Sequence, residues 1–410
     1  MANDVATQPE SHNSPAGALQ PDEAEVIVAL RRRGALSRTD LARITGYSRA
    51  KMTAVVGKLV ERGILSEVGA GESQGGRRPR MLHFNASQGY VAGVDLGATS
   101  IDVALADLGG ALLERRSEPA NVSDGPQPVL NRICALLLQL LQRRGIAPEQ
   151  VYAIGIGVPG PVQFSTGLLI APPLMPEWDA YPIRATLRQT FTAARVVVDN
   201  DVNVMALGEL RSGAGVGVEN FIVIKIGTGI GAGIVCQGQV YRGSDGCAGD
   251  VGHICVDPHG PVCRCGNVGC VEAMAAGPPI AARALSVAQS GGSAILAARA
   301  QSNGGALSAE DVGAAAAAGD RAAMEIIQDS GRMIGEALAG LVNFFNPRLL
   351  LLGGGVSNIG HQLLSSIRQT VLRRSPPLST KDLRIDYAKL GRDAGLLGAI
   401  ALALEHVFEQ

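Results

Sequence analysis

The sequence predicts a mixed α/β protein: a winged helix-turn-helix at the N-terminus, then a larger body of alternating strands and helices forming two lobes around a cleft. Three observations lead there. Residues 22–85 read as short amphipathic helices divided by tight turns, and they carry 12 Lys and Arg against 7 Asp and Glu, net +5 beside −6 for the remainder. From Tyr90 the pattern changes to apolar strands that end in glycine turns. The 410 residues include 53 glycines but only 3% aromatics, which suits a fold with many tight turns and close backbone approaches.

Residues 1–21 are expected to be a flexible tail. They lack a charged segment followed by an apolar core, and no apolar run in the chain approaches the ~20 residues that cross a bilayer. A cytoplasmic protein with reduced thiols is expected. In the basic module, EAEVIVALRRRG reads as one helix ending at Gly34, and Ser37-Arg-Thr-Asp40 as a capping-box-like start to a short helix over Asp40 to Thr45. Gly46 stops it. The next helix opens with Ser48 as cap, with Met52, Val55, Val56, Leu59 and Val60 at core spacing and Arg49, Lys51, Thr53 and Lys58 outward. Such a second helix enters a DNA major groove. ILSEVGAGESQGGRRPRMLHFN follows as two strands about a Gly-rich tip, whose Arg77, Arg78 and Arg80 suit a minor groove. The alternative for that tip is an interdomain linker.

The body begins with YVAGVDLGATSIDVALADLGG, a strand, a turn and a second strand. In the turn, Gly97 lets the backbone approach an anion, Asp95 could hold magnesium and Thr99 could donate to phosphate. FIVIKIGTGIGAGIV repeats the device at Gly227, Thr228 and Gly229, and LLLLGGGVS repeats it at Gly353, Gly354 and Gly355, opening a helix. Any one could be an ordinary hairpin; three favour a nucleotide cleft between lobes. Between the first two lies RVVVDNDVNVMALGELRSG, a strand running into Asp199-Asn200-Asp201 and a helix. Asp201 suits a general base for phosphoryl transfer, though helix capping serves equally for such residues and is preferred without other evidence.

Taken together, the winged helix, DLGAT, NDVN, GTGIGAGI, AGDVGHICVDPHGPVCRCGNVGCVE, NPRLLLLGGGVS and LGRDAGLLGAIALAL resemble the ROK family (repressor, open reading frame, kinase), from about residue 22 to the C-terminus. The resemblance implies an actin- and hexokinase-like body, a duplicated ribonuclease H-like fold. Lobe 1 would span 86–205, completed by a helix in 393–410, and lobe 2 would span 206–392. It also implies that DLGAT and GTG hold phosphate, that Gly353 to Gly355 lie near an adenosine, and that Asp201 is the base. Asn200, Asp201, Asp250, His253 and Glu272 would hold sugar hydroxyls. Two positions depart from the family: Asp250 stands where Glu is usual, and Ala98 and Ser100 alter the first phosphate loop, where the Ala98 methyl could crowd a phosphate.

Three of the seven cysteines fall within CRCGNVGC. Disulfides are not expected in a reducing compartment, and Cys263, Cys265 and Cys270 with His253 would complete a closed, structural zinc site. The bland alternative is a reduced cysteine cluster. Cys134, Cys236, Cys247 and Cys255 read as small core residues. The resemblance thus implies a homodimeric repressor that binds operator DNA and a sugar effector, with ATP and magnesium as further ligands if a sugar kinase persists. A DNA-binding protein with a dead body conflicts with the intact pocket motifs.

Overall fold

The computed structural model describes residues 19–70 and 80–407. In the head, α1 (Pro21–Arg33) starts with proline in its first turn and ends at Gly34, whose φ of 77° favours glycine. Then come β1 (Leu36–Ser37), α2 (Arg38–Thr45), α3 (Arg49–Glu61), β2 (Leu65–Ala70) and β3 (Arg80–Phe84). The predicted capping box forms: Ser37 Oγ accepts from the Asp40 N–H at 3.1 Å, and Asp40 Oδ2 accepts from the Ser37 N–H at 3.3 Å. With Ser37 as the cap, α2 opens at Arg38, two residues before the expected start. Strands β2 and β3 form the antiparallel wing, and the short β1, which hydrophobic pattern alone does not reveal, pairs with β3.

Lobe 1 starts with the antiparallel strands β4 (Tyr90–Leu96), β5 (Ser100–Asp107) and β6 (Leu112–Pro119). Helix α4 (Pro126–Arg144) leads to β7 (Val151–Val158), parallel to β4. A hairpin, β8 (Val162–Gln163) with β9 (Leu168–Leu169), and α5 (Ile183–Thr190) precede β10 (Arg195–Asn200), parallel to β7. Helix α6 (Asp201–Ser212) follows directly. Lobe 2 repeats this wiring, with strands β11 (Phe221–Ile226), β12 (Ile230–Cys236) and β13 (Gln239–Tyr241). A long insertion adds α7 (Val271–Ala275), α8 (Gly277–Gln289), α9 (Ala294–Ser302) and α10 (Ala309–Ala317) before α11 (Arg321–Phe345). Then β14 (Leu349–Gly353), α12 (His361–Arg374), α13 (Pro377–Thr380), β15 (Arg384–Tyr387) and α14 (Ala394–His406) complete the chain. The sheet orders, β10-β7-β4-β5-β6 and β13-β12-β11-β14-β15, are two copies of one topology. FIVIKI and LLLLG are nearly uninterrupted apolar runs because β11 and β14 are central strands covered on both faces.

The lobes are joined by a crossing of helices. Helix α6 leaves lobe 1 and lies on β12 of lobe 2, so close that a Cβ on Gly233 would stand 2.5 Å from the Val202 carbonyl oxygen. Helix α14 leaves lobe 2 and lies on β4 and β7 of lobe 1. Where the two cross, a Cβ on Gly208 would meet the Ala394 oxygen at 2.2 Å, and one on Gly398 the Val204 oxygen at 1.8 Å. The 205/206 boundary falls inside α6. The head is not suspended from a linker: Val26, Leu30, Leu59 and Leu82 share one apolar cluster with Val91, Ala104 and Leu108 of lobe 1 and with Ile400 and Leu404 of α14. Arg31 also donates to the Leu404 carbonyl at 2.9 Å.

Two expectations need correction. The Gly353 to Gly355 turn does not open a long helix; Gly354 takes φ 87°, a single 3-10 turn covers Gly355–Asn358, and α12 begins only after Gly360, at φ 146°. Cys247 and Cys255 are exposed rather than core residues, Cys247 on irregular loop backbone and Cys255 in an isolated bridge to Cys270, whereas Cys134 and Cys236 are partly buried.

Candidate functional site

Between the lobes lies a cleft of about 1510 Å³, and the carboxylates and glycine turns singled out from the sequence all line it. The β4–β5 turn is closed by the Gly97 N–H on the Ser100 carbonyl at 2.9 Å. The Ala98 methyl packs on the lobe 1 core, and the residue also lines the cleft. Thr99 is exposed to it. The β11–β12 turn is closed by the Gly227 N–H on the Gly229 carbonyl at 2.9 Å, leaving Thr228 exposed. The glycine at 354 fits because a Cβ there would stand 2.4 Å from the Ile226 carbonyl oxygen, which brings the third turn against the second.

The carboxylates have specific partners. Asn200 caps α6: its Oδ1 accepts from the Val202 N–H at 2.9 Å and its Nδ2 donates to the Gly160 carbonyl at 2.8 Å, so its polar atoms are largely committed. Asp201, in the first turn of that helix, accepts from Lys225 Nζ at 2.7 Å. The lysine reaches across from β11 in lobe 2. Burial opposes its charge, but the fields of Asp201, Asp95 and Asp102 outweigh that and hold its pKa above the ordinary value. Burial pushes Asp95 up to about 6 even though Lys225 pulls the other way. Next to this group, Arg242 takes Asp199 with Nε at 2.9 Å and Nη2 at 2.8 Å while lying over the Phe164 ring. Burial still raises Asp199. Sequence reasoning missed Lys225 and Arg242. The available signal was a lone lysine inside the apolar run FIVIKI, one residue short of a strand end.

On the opposite wall, His253, Cys263, Cys265 and Cys270 present ligand atoms all within 4.8 Å of one another, the spacing of a metal centre. His253 Nδ1 lies 3.6 Å from Cys263 Sγ, and Cys265 Sγ lies 3.8 Å from Cys270 Sγ. Burial raises the Cys263 thiol and pushes Cys270 up to about 12; Cys265 is lowered because hydrogen bonds, led by the Asn267 N–H, outweigh burial. The other ring nitrogen of His253 faces Asp250 Oδ1 at 3.7 Å, with the aspartate side chain largely exposed to the cleft. Glu272, two residues past the last cysteine, accepts from the Ile230 N–H at 3.0 Å, which ties the cysteine loop to the GTG turn.

The head's candidate DNA surface is more varied. Ser48 caps α3 by accepting from the Lys51 N–H at 3.2 Å, and Met52, Val55, Val56 and Leu59 are buried as their spacing predicts. Arg49, Lys51 and Thr53 face outward. Lys51 Nζ stands 3.8 Å over the Tyr47 ring and 3.6 Å from Asp22, and Thr53 Oγ1 donates to the Arg49 carbonyl. Arg80 is the first residue of β3, not part of the tip, and pairs with Glu67, which also holds Arg38 at 2.8 Å. Arg77 and Arg78 lie outside the described residues.

A duplicated ribonuclease H-type body, a cleft with glycine turns and carboxylates, and a Cys3His cluster define the class, and the chain belongs to the ROK family, whose model matches residues 91–406. Among its relatives is the putative xylose repressor of Caldicellulosiruptor sp. (strain Rt8B.4), 31% identical over 90% of this chain and 92% of that one. A crystal structure of a ROK family transcriptional regulator, a homolog of the E. coli MLC protein, matches with TM-score 0.80 and 29% identity over 97% of both chains. The ROK family glucokinase from Streptomyces griseus, solved with glucose and AMPPNP, matches at TM-score 0.69 and 32% identity over 77% of this chain and all of its own. No described helix is long and apolar enough to cross a membrane.

Proposed function

We propose that the protein is a sugar-responsive transcription regulator, a repressor, that binds operator DNA through residues 22–85 and a sugar through the cleft. The observation that carries this reading is the shared core of head and body: the helix-turn-helix packs on lobe 1 and on α14, and α14 crosses α6, whose first turn carries Asp201. A ligand that changes how the lobes close bears on the same helices that support the head, and it shifts the equilibrium by its difference in affinity for the two states. Homodimerisation suits a palindromic operator. A cytoplasmic location is part of the same reading.

In this reading Asp201, Asp250, His253 and Glu272 hold sugar hydroxyls, with Asn200 setting the helix that presents Asp201. The Cys3His set suits zinc, since three thiolates and one imidazole close a tetrahedral site with no open position. Its role is structural: it fixes the loop of Glu272 beside His253 and Asp250. Arg49, Lys51 and Thr53 face the major groove and the wing faces the minor groove. The test is a thermal-shift screen with hexoses, N-acetylhexosamines and pentoses, followed by operator binding with and without the sugar that stabilises the fold. A sugar that stabilises the protein and changes operator affinity supports the reading; one that stabilises it and leaves DNA affinity unchanged overturns it. The second reading, an ATP-dependent sugar kinase, is favoured by the retained turns at Gly97, Gly227 to Gly229 and Gly353 to Gly355, and formation of sugar phosphate from ATP would support it.

A further inference from the structure

The floor of the cleft poses a charge problem that the kinase template does not solve. Phosphoryl transfer requires a divalent cation near the transferred phosphate and a carboxylate free to take the hydroxyl proton. Asp95 and Asp201 are the residues in position for those tasks, and the observed donor set does not fit them. Asp201 is engaged by Lys225 Nζ at 2.7 Å, and its side chain is only 10% exposed. Asp95 Oδ1 is buried without a hydrogen-bond partner. The same carboxylate is walled by the first turn of α14, where a Cβ on Gly395 would lie 1.9 Å from Asp95 Oδ2. Asp102 stands opposite Asp95 on β5 and contributes to the field at the lysine. Three lobe 1 acids therefore converge on one lobe 2 ammonium.

We propose that Lys225 is a resident cation that takes the place of a magnesium ion at the cleft floor and keeps Asp201 paired, so that the cleft binds sugar without transferring phosphate. An ammonium ion supplies the positive charge that a carboxylate pair otherwise draws from a divalent metal, and it excludes that metal by repulsion. It also withdraws Asp201 from proton transfer, because the carboxylate oxygen that would take a hydroxyl proton already accepts from the ammonium. Since Lys225 comes from β11 and its partners from β4, β5 and α6, the pair links the two lobes at their base. The proposal rests on the regulator reading of this cleft, and its experiment is chosen to fail separately from it.

The test uses the full-length protein with its cysteine site loaded, titrated with manganese(II) as a spin-active stand-in for magnesium, with free ion read by electron paramagnetic resonance. Wild type should take up no ion at the cleft in the sub-millimolar range. Lys225→Met and Lys225→Gln, one apolar and one polar so that a folding defect in either leaves the other, should each gain one site, tighter than wild type by roughly tenfold or more. Adding Asp201→Asn should abolish the gain. The proposal is overturned if wild type binds manganese in a manner that Asp201→Asn removes, if neither lysine variant gains a site, or if wild type converts glucose, N-acetylglucosamine or xylose with ATP and magnesium into sugar phosphate at an ordinary kinase rate. None of these outcomes depends on whether sugar alters DNA binding, so the regulator reading stands or falls on its own experiment.

Discussion

Replacing Gly398 with alanine adds a single methyl group at the crossing of α6 and α14. That carbon would stand 1.8 Å from the Val204 carbonyl oxygen, 2.7 Å from the Val204 carbonyl carbon and 3.0 Å from the Gly208 nitrogen. A carbon–oxygen contact settles at roughly 3.3–3.6 Å, so the helices must part by about 1.5 Å. The three nearest neighbours are all backbone, so none of them can rotate away. Overpacking costs about 1–3 kcal/mol, and this geometry belongs at the upper end, offset by about 1 kcal/mol for removing glycine from a helix interior. The expected net loss is about 2 kcal/mol. Gly340, exposed on α11 with nothing within 4 Å of an added methyl, is the matched control. There the same substitution should stabilise by about 0.5–1 kcal/mol. Urea unfolding reads both, by circular dichroism and by Trp178, the sole tryptophan, which is fully buried in lobe 1. If the two substitutions shift the midpoint in the same direction, the helices are not pressed together and the account of the lobe junction fails.

Other outcomes follow from the same structure. Cys265→Ser should lose bound zinc by elemental analysis and loosen the Glu272 loop, lowering sugar affinity together with metal content; retention of a full zinc complement would sink the four-ligand assignment. Asp95 titrates at about 6 in the fold against an ordinary 3.8, so the stability it contributes below pH 3.8 is lost as the pH climbs through 6. Asp95→Asn should therefore unfold later than wild type at pH 7.5, by up to about 3 kcal/mol, with the gap closing near pH 4; a pH-independent gap would contradict burial as the cause. From the sequence of the wing, substituting Arg77 and Arg78 together with Arg80 at the start of β3 by alanine should flatten the salt dependence of operator binding as fewer counterions are released, whereas an unchanged slope would return GGRRPR to the status of a linker.

Local features were the legible ones. Capping of α2 and α3, the core face of Met52, Val55, Val56 and Leu59, and the glycine-ended strands all follow from rules that act within a few residues. So did the cysteine cluster, because three of its four ligands sit within eight residues. What escaped depends on residues distant in the chain. Lys225 meets Asp201 and Arg242 meets Asp199 only because the two lobes face each other, and neither sequence segment records its partner. Asn200 caps α6 and donates to the Gly160 carbonyl, partners that its motif does not record, and one Nδ2 hydrogen is left toward the cleft that it lines. The run of three glycines suggested a helix start, but glycine tolerates positive φ as readily as it permits anion approach, and at Gly354 the backbone uses that freedom to turn.

The joint between head and body bears on how such regulators diversify. A DNA-binding module on a loose tether can be traded for another by recombination within the tether, and neither partner notices. Here the exchange would cut through a packed surface, because Val26 and Leu30 of the head lie in one apolar cluster with Val91, Ala104, Ile400 and Leu404 of the body. A transplanted head would have to match that face or leave its apolar residues open to water, with the solubility penalty that large exposed patches carry. Under the regulator reading, the head and the outer face of lobe 1 have to change together, and a new operator specificity is more readily built by redesigning the outward-facing residues of α3 in place than by substituting the whole module.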